Sequence, residues 1–341
     1  MTTASTRAKV DDFEQTLHTA SSIRGTRELY DSNDMQTLSK AFGMSPKATK
    51  RFMEKCKKYG FSKLSIRLNY TNTNIKMYMI GIVSKHPKYD KQIMEELRKC
   101  KYVSQVFNVI GSPTHLVRIK VMADRFSIND YIEKELMPKI GDMVDWITPK
   151  EVRSQHFYNG TKYMPDSTLN YKIDETGLAI VKELYNDASQ SLKQLSKKLK
   201  MSEQAVHYRI KKLREKNIVM GYKFRIDRNN VPREFWSNQI LFIINTEPAR
   251  LDETATELGK LIEHHGIRRV FTFNTKYNIM VQAAVKKFPH LQELTNILIN
   301  MPGVREIRSY VVTDMHSGYW VNDLGLPLTE RPKKKEARKR T

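Results

Sequence analysis

Two segments of the chain place polar and basic side chains at helical spacing. In the later segment, Val206, Ile210 and Leu213 are spaced four and three apart, and would form the buried face of a helix. The opposite face would then present hydrogen-bond donors and cations to a charged partner. The candidate contact residues of this segment are Ser202, Gln204, His207, Tyr208, Arg209, Lys211 and Lys212.

The earlier segment repeats the pattern with more positive charge. Ser45 would cap a helix that has Pro46 at its first position, where the missing N–H of proline costs nothing. Lysine and arginine side chains on one helix face are typical of a surface that binds a polyanion. The candidate contact residues of this segment are Ser45, Lys47, Lys50, Arg51 and Lys55.

The composition of the whole chain agrees with a polyanionic partner. Among 341 residues, 59 Lys and Arg stand against 37 Asp and Glu, which gives a net charge of +22. Residues 330–341 hold seven basic and two acidic side chains, so this tail accounts for +5 and the other residues keep +17. Nucleic acid is the commonest partner of such a surface. A basic protein with no polyanionic partner is the alternative.

The sequence shows few signs of disulfides, metal sites, phosphate-binding loops or membrane segments. Cys56 and Cys100 are too few for a disulfide framework or a four-cysteine zinc site. His264 and His265 are adjacent and supply neither the number nor the geometry of zinc ligands. There is no glycine-rich phosphate loop, and no apolar run of the ~18–20 residues that cross a membrane. These patterns predict a cytoplasmic, nucleoid-associated protein without membrane contact, metal, cofactor or enzymatic activity.

Internal repetition determines the predicted architecture. Residues 38–61 align with residues 195–218 without a gap, and their apolar positions coincide. Residues 103–117 align in the same way with residues 267–281, at an offset of 164 instead of 157. Two matching stretches in the same order indicate two copies of a two-part unit.

The first part of each copy has the pattern of a helix-turn-helix. In the second copy, Asp174 would cap a first helix, residues 192–199 form a short second helix, and Lys200 begins the turn. The third helix starts at Ser202, and its basic face can enter the major groove of DNA. The loosely alternating residues 218–226 then predict a wing strand.

The second part of each copy predicts a small domain of the ferredoxin-like order β-α-β-β-α-β. In the first copy the predicted strands are 76–83, 103–110, 115–121 and 141–147, with helices at 90–98 and 128–136. In the second copy the predicted strands are 239–245, 267–273, 277–285 and 304–313, with helices at 251–264 and 288–300.

The predicted fold class is therefore α+β, with two winged helix-turn-helix units alternating with two ferredoxin-like domains. The predicted domains are an N-terminal helix with the first helix-turn-helix (1–70), the first α/β domain (75–150), the second winged helix-turn-helix (165–230), the second α/β domain (235–322) and a basic tail (323–341).

This order of parts resembles the Lrp/AsnC, or feast/famine, family of transcription regulators. The similarity covers about residues 170 to 320 and reaches the first half mainly through the repeat. It is carried by Ile173-Asp174, Leu195-Ser196, Leu199, Met201-Ser202, Val206, Arg209-Ile210, Leu213, Ile218 to Tyr222, Gly266 to Val270, Tyr277-Asn278 and Pro302 to Val304.

The resemblance implies double-stranded DNA as a partner and dimerisation through the α/β domain, called RAM. With both copies in one chain, an internal pseudo-dimer, a homo-oligomer, or both are expected. It also implies a small effector, usually an amino acid, near the central hairpin turn, where the family pattern is Gly-x-Tyr-Asp. The residues at these positions are Gly111 and Ser112 in the first copy, which keeps only the glycine of the pattern, and Thr275, Tyr277 and Asn278 in the second, which keeps only the tyrosine.

Two other readings compete with a DNA-binding regulator. Sirohaem decarboxylases resemble the same family and use the same two-part unit, but their motif would place His, Arg and His where this chain has Arg269, Phe273 and Thr275. His115 has no such motif around it. A helix-turn-helix scaffold without specific DNA binding is the other alternative. The basic third helices favour the regulator.

Overall fold

The structure is a computed structural model of the chain. It describes residues 39, 44–58, 61–69, 73–157, 162–163, 171–226, 238–263, 266–285, 287–318 and 320–325. The predicted N-terminal helix before residue 39, the pair His264 and His265, and the basic tail from residue 326 lie outside these residues. The chain divides into two compact units, residues 1–73 with 165–237, and residues 74–164 with 238–341.

The first unit contains the helix-turn-helix predicted in the second half of the sequence. Asp174 caps α5 (Glu175–Asn186) by accepting a 2.7 Å hydrogen bond from the Gly177 N–H. A capping box of Ser191 and Gln194 opens α6 (Leu192–Leu199), and Lys200 ends it in a left-handed conformation with φ of 53°. The Ser202 hydroxyl then accepts from the Ala205 N–H at 3.1 Å and starts α7 (Glu203–Glu215).

The same unit contains α1 (Pro46–Lys58), the third helix of the predicted first copy. Helices α1 and α7 each have 13 residues and begin 157 positions apart. The Ser45 hydroxyl accepts from the Ala48 N–H at 3.3 Å, as Ser202 does for Ala205. Buried residues occupy matching positions as well, with Thr49 and Cys56 in α1 and Val206 and Leu213 in α7.

The predicted wing strand pairs with a strand from the other half of the sequence. Strand β7 (Val219–Ile226) lies antiparallel to β1 (Phe61–Leu68), and these two strands form a sheet of their own. Ser65 faces Lys223 and Ile66 faces Tyr222 at the centre of the ladder. The prediction of a strand at 218–226 is confirmed, whereas its partner β1 is a strand that was not predicted from the sequence.

The second unit is built around eight strands that close into a barrel. Its first half contributes β2 (Ile75–Ser84), α2 (Asp90–Lys99), β3 (Val103–Val109), β4 (His115–Met122), α3 (Ile128–Tyr131), α4 (Met137–Ile140) and β5 (Val144–Phe157). A π-helical turn at Ile132–Leu136 joins α3 to α4. Its second half contributes β8 (Asn238–Thr246), α8 (Leu251–Lys260), β9 (Ile267–Phe273), β10 (Ile279–Val285), α9 (Phe288–Ile299) and β11 (Val304–Ser317).

The strand order explains how the barrel closes. The strands follow one another as β2-β4-β3-β11-β8-β10-β9-β5, and β5 pairs back onto β2. Short β6 (Lys162–Tyr163) adds to β5. Within each half the last strand lies beside the first, the order of a ferredoxin-like sheet. The predicted α+β class and the β-α-β-β-α-β order are therefore confirmed.

Two antiparallel ladders join one half of the barrel to the other, and we call them the seams. The two seams have the same register. Strand β5 pairs with β9, and a bulge interrupts the ladder between Val152 and Ser154. Strand β11 pairs with β3, and its bulge falls between Val312 and Asp314, the matching positions. In both seams the residues after the bulge form a regular antiparallel ladder.

The seams correct the sequence-based bounds of both last strands. The prediction ended them at residues 147 and 313, whereas β5 runs to Phe157 and β11 to Ser317, and residues 141–143 form a helical turn. The added residues pair with strands of the other half. The sequence of one half alone does not contain these partners, so it does not predict the added length. Helix α8 is also shorter than predicted, because a 3₁₀ turn (Leu261–Glu263) follows Lys260.

Each half of the second unit has its own apolar core between helices and sheet. In the first half, Ile80, Ile93 and Val117 are fully buried, and in the second half Phe242, Leu258 and Val281 are. Cys56 and Cys100 are both buried, and they are not joined in a disulfide. None of the helices among the described residues is long and apolar enough to cross a membrane.

Candidate nucleic-acid interface

Helix α7 separates an apolar face from a polar one, as the spacing predicts. Val206, Ile210 and Leu213 are buried, and they hold the helix against α5 and α6. Gln204, His207 and Tyr208 are exposed, and Tyr208 keeps 63% of its surface accessible. The first two turns of α7 therefore offer an amide, an imidazole and a phenol to a partner.

Arg209 lies differently from these three residues. Its guanidinium is half-buried and forms an ion pair with Asp174, the residue that caps α5. The Gly177 N–H and the Arg209 guanidinium both hold the pKa of the Asp174 carboxyl below its ordinary value. Arg209 therefore fastens α7 to the start of α5, and its predicted contact with DNA would have to compete with this pair.

The remaining predicted residues of α7 lie further along the helix. Lys211 is exposed and 3.9 Å from Glu215 in an i,i+4 pair. Lys212 is half-buried, with its ammonium 5.9 Å from the centre of the Tyr171 ring. Ser202 is exposed, and its hydroxyl is already used as the helix cap.

Helix α1 presents cations where α7 presents neutral groups. Lys47, Lys50 and Arg51 are exposed, and Lys55 is half-buried. The Ser45 hydroxyl caps the helix, as Ser202 does for α7. Counting all residues of each helix, α1 has six basic and one acidic side chain, whereas α7 has four basic and two acidic ones.

The residues predicted to bind an effector in the first hairpin turn are packed by a tyrosine. Gly111 has a φ of +129°, and a Cβ added to it would lie 3.0 Å from Cδ1 of Tyr310. The Tyr310 hydroxyl donates to the Ser112 carbonyl at 2.9 Å. Tyr310 comes from β11, about 200 residues later in the sequence, which is why no local pattern reveals it.

The residues predicted in the second hairpin turn have different surroundings. The Tyr277 hydroxyl donates to both carboxylate oxygens of Glu306, at 2.8 and 2.9 Å. The Arg308 guanidinium lies 4.5 Å from the centre of the Tyr277 ring, and Lys150 Nζ lies 5.8 Å from it. Burial lowers the pKa of Lys150. Sequence reasoning missed these three charged neighbours because they lie on β5 and β11.

Asn278 and Thr275 have structural contacts. Asn278 is buried, and its amide accepts from the Thr246 N–H at 3.0 Å and donates to the Thr246 carbonyl at 2.8 Å. The Thr275 hydroxyl is exposed and donates to the Tyr277 carbonyl at 2.8 Å. Of the predicted effector residues, Tyr277 has the most side-chain chemistry around it.

The positions where a sirohaem decarboxylase motif would have catalytic groups are occupied otherwise. Arg269 donates to Gln282 at 3.2 Å, Phe273 is buried and Thr275 lies on the turn. His115 is fully buried between the Thr114 hydroxyl and the Asp90 carbonyl, and burial lowers its pKa. In the described part of the chain, no three metal-ligating side chains come together.

Comparison with known proteins identifies a family match in the helix-turn-helix. Residues 173–220 match the protein family described as winged helix-turn-helix DNA-binding, which spans α5, α6, α7 and the start of β7. This match covers the helix-turn-helix whose three caps and turn are described above.

The curated relatives that this chain resembles are named transcriptional regulators. The HTH-type transcriptional regulator FL11 of Pyrococcus horikoshii is 27% identical over 145 residues, 42% of this chain and 91% of the relative. The regulator LrpA of the same organism is 29% identical over 143 residues, 42% of this chain and 97% of the relative. The relatives are Lrp-family regulators, and the resemblance to the Lrp/AsnC family predicted from the sequence is confirmed.

A solved structure extends the likeness of fold along the chain. The siroheme decarboxylase NirDL aligns with a TM-score of 0.62 over 89% of this chain and 96% of that chain. Sequence identity is 11%, so the alignment shows a shared fold alone.

Proposed function

We propose that this chain is a sequence-specific, DNA-binding transcription regulator of the Lrp/AsnC type. One observation supports this most directly. The third helix of a winged helix-turn-helix that matches a DNA-binding family is α7, and its exposed residues Gln204, His207 and Tyr208 can reach base edges. Helix α1 lies in the same compact unit and supplies a second, more basic face. The partner is double-stranded DNA, and the chain acts in the cytoplasm on the nucleoid.

Selection from random duplex DNA tests the proposal. The chain without residues 330–341 is incubated with the pool at several salt concentrations, so that the basic tail cannot supply the binding. We expect an enriched bipartite site and an affinity that falls steeply with salt. If no sequence is enriched and binding disappears with the tail, the helix-turn-helix units are a scaffold and the proposal is wrong.

Single substitutions locate the interface. Lys50→Ala and Tyr208→Ala remove exposed side chains of α1 and α7, so both should weaken DNA binding and leave the fold intact. Lys193→Ala, which removes an exposed lysine from α6, is the matched control and should bind nearly as well as the natural chain. Arg209→Ala is a poorer probe, because it also breaks the ion pair with Asp174.

The proposal includes a tandem duplication that places both members of a regulator pair in one chain. Three matches support it: the helices α1 and α7 begin 157 positions apart, strands β3 and β9 begin 164 apart, and both barrel seams have a bulge at matching positions. The site should then be asymmetric. The proposed domains are those predicted from the sequence, except that the first α/β domain extends to Phe157, where β5 ends.

The oligomeric state follows from the same proposal. A chain that forms its pair internally should bind its full site as a single molecule, and fused chains can pair further. Sedimentation of the protein–DNA complex measures the number of chains per site. One chain on a full bipartite site supports the internal pair, whereas two chains on that site would contradict it.

A small-molecule effector is proposed at the second hairpin turn. Lys150, Lys276 and Arg308 surround Tyr277, so this turn favours a ligand with a carboxylate, such as an amino acid. Calorimetric titration with each of the twenty amino acids should find one that binds, and Lys150→Met should weaken it. The absence of binding by all twenty would contradict the amino-acid effector.

A further inference from the structure

Helices α1 and α7 match position by position, yet their exposed residues differ in kind. Lys47, Lys50 and Arg51 of α1 lie 157 positions before Gln204, His207 and Tyr208 of α7, and all six are exposed. Because the caps and the buried faces of the two helices match as well, the three pairs occupy the same places on two equivalent helices.

The difference in side chains gives the two helices different chemistry toward DNA. Glutamine can make two hydrogen bonds to adenine, and an aromatic ring can contact the methyl group of thymine. These contacts depend on the base. Lys47 and Lys50 carry mobile point charges that suit separate phosphates, and the planar guanidinium of Arg51 can bind a phosphate as well as a guanine. Phosphate contacts position a protein on DNA and contribute affinity, but they do not distinguish bases.

We infer that the two helices divide the work: α7 reads the sequence of one half-site, and α1 anchors the other half-site through its phosphates. This inference rests on the proposed DNA-binding function and adds which residues determine specificity. The regulator would then recognise one short base sequence beside a second half-site that accepts almost any sequence.

Exchanging the two sets of residues tests the inference. Variant A has Gln204→Lys, His207→Lys and Tyr208→Arg, which give α7 the residues of α1. Variant B has Lys47→Gln, Lys50→His and Arg51→Tyr, the reverse exchange. All six positions are exposed, so both variants should fold, which circular dichroism checks. Each protein is measured on the selected duplex and on duplexes with one base pair changed at a time.

With the natural chain, base changes in one half-site should weaken binding ~10-fold or more, and changes in the other half-site less than about 3-fold. Variant A should lose the preference in the first half-site and bind random DNA more tightly. Variant B should keep that preference, while the slope of log affinity against log salt becomes shallower by about 3, since it loses three phosphate contacts.

The possible failures are distinguishable. If the natural chain selects no sequence, the proposed function itself is wrong. If it binds a selected site but base changes in both half-sites weaken binding equally, DNA binding stands and the division of work is wrong. A strict requirement for guanine opposite α1 would also overturn it, because Arg51 would then read a base. Variant A retaining its half-site preference would overturn it too.

Discussion

The two central hairpins of the barrel show how one backbone design accepts two kinds of chemistry. The Val109 N–H donates to the Thr114 carbonyl at 2.9 Å, and at the matching place Phe273 donates to Asn278 at 2.8 Å. The residue after each turn also forms side-chain hydrogen bonds with the first strand of its half, and we call these hydrogen bonds the shared lock. The Thr114 hydroxyl accepts from the Ser84 N–H, and the Asn278 amide bonds both the backbone N–H and the carbonyl of Thr246.

Beyond this shared lock, the turns are supported in opposite ways. The first turn needs the absence of a side chain at Gly111, because the Tyr310 ring lies against it. The second turn uses a charged network in which Tyr277 bonds Glu306 and contacts Arg308. The comparison teaches that the hairpin depends on one polar side chain after the turn, and that the residues within the turn are free to specialise.

The largest effect should come from filling the first turn. Gly111→Val places a β-branched residue at a φ of +129° and against the Tyr310 ring, and should cost about 2–5 kcal/mol in the free energy of unfolding. Urea denaturation measures it. The matched control is Thr275→Val at the equivalent, exposed position of the second turn, which should change stability little. Equal losses in both variants would contradict the comparison.

Removing the shared lock should have the next largest effect. Asn278→Ala leaves the N–H and carbonyl of buried Thr246 without their side-chain partner, and should cost about 2–3 kcal/mol in urea denaturation. Thr114→Ala removes a single hydroxyl from a half-buried place and should cost less. The idea of a common lock would be lost if both variants were as stable as the natural chain.

A smaller effect should appear in the pH dependence of stability. His115 of the first half is fully buried where the second half has Ile279, and burial holds its pKa below the ordinary value of about 6.5. As the pH falls below that value, the unfolded chain binds a proton that folded His115 resists, so stability declines. His115→Ile should make stability between pH 7 and 5 flatter. An unchanged slope would contradict this account.

The smallest effect should be seen at Glu306. Hydrogen bonds from Tyr277 and Arg308 lower the pKa of its carboxyl, so their contribution to stability is present above the ordinary glutamate pKa and lost as the pH falls. In Tyr277→Phe, carbon-detected NMR titration should show the pKa of Glu306 rising toward its ordinary value. Lys276→Ala, without a hydrogen bond to Glu306, should shift it less. The reverse order would argue against the Tyr277 bond.

Much of the first unit could be predicted because its signals are local. Ser202 as a cap, the break at Lys200 and the spacing of Val206, Ile210 and Leu213 all lie within a few residues of the helix that they define. Caps and turns act over one helical turn, so a short stretch of sequence contains the information that places them.

Pairings between the halves could not be predicted, because antiparallel register between distant strands leaves no local pattern. The contacts of β5 with β9 and of β1 with β7 join residues more than 100 positions apart. Tyr310 and Gly111 are likewise far apart in the sequence, which explains why the sequence indicated the turns and missed their neighbours. The ion pair of Arg209 was missed for a related reason, since the spacing of Arg209 on α7 could not reveal Asp174 as its partner.

The closed ring of strands also has a consequence for how the protein responds to dilution. Both seams join segments of one chain, so the strands that meet there are tethered and their encounter does not depend on protein concentration. A barrel assembled from separate subunits loses its seams when the subunits are scarce. In a cell that holds only a few molecules, each of these chains still has a complete barrel.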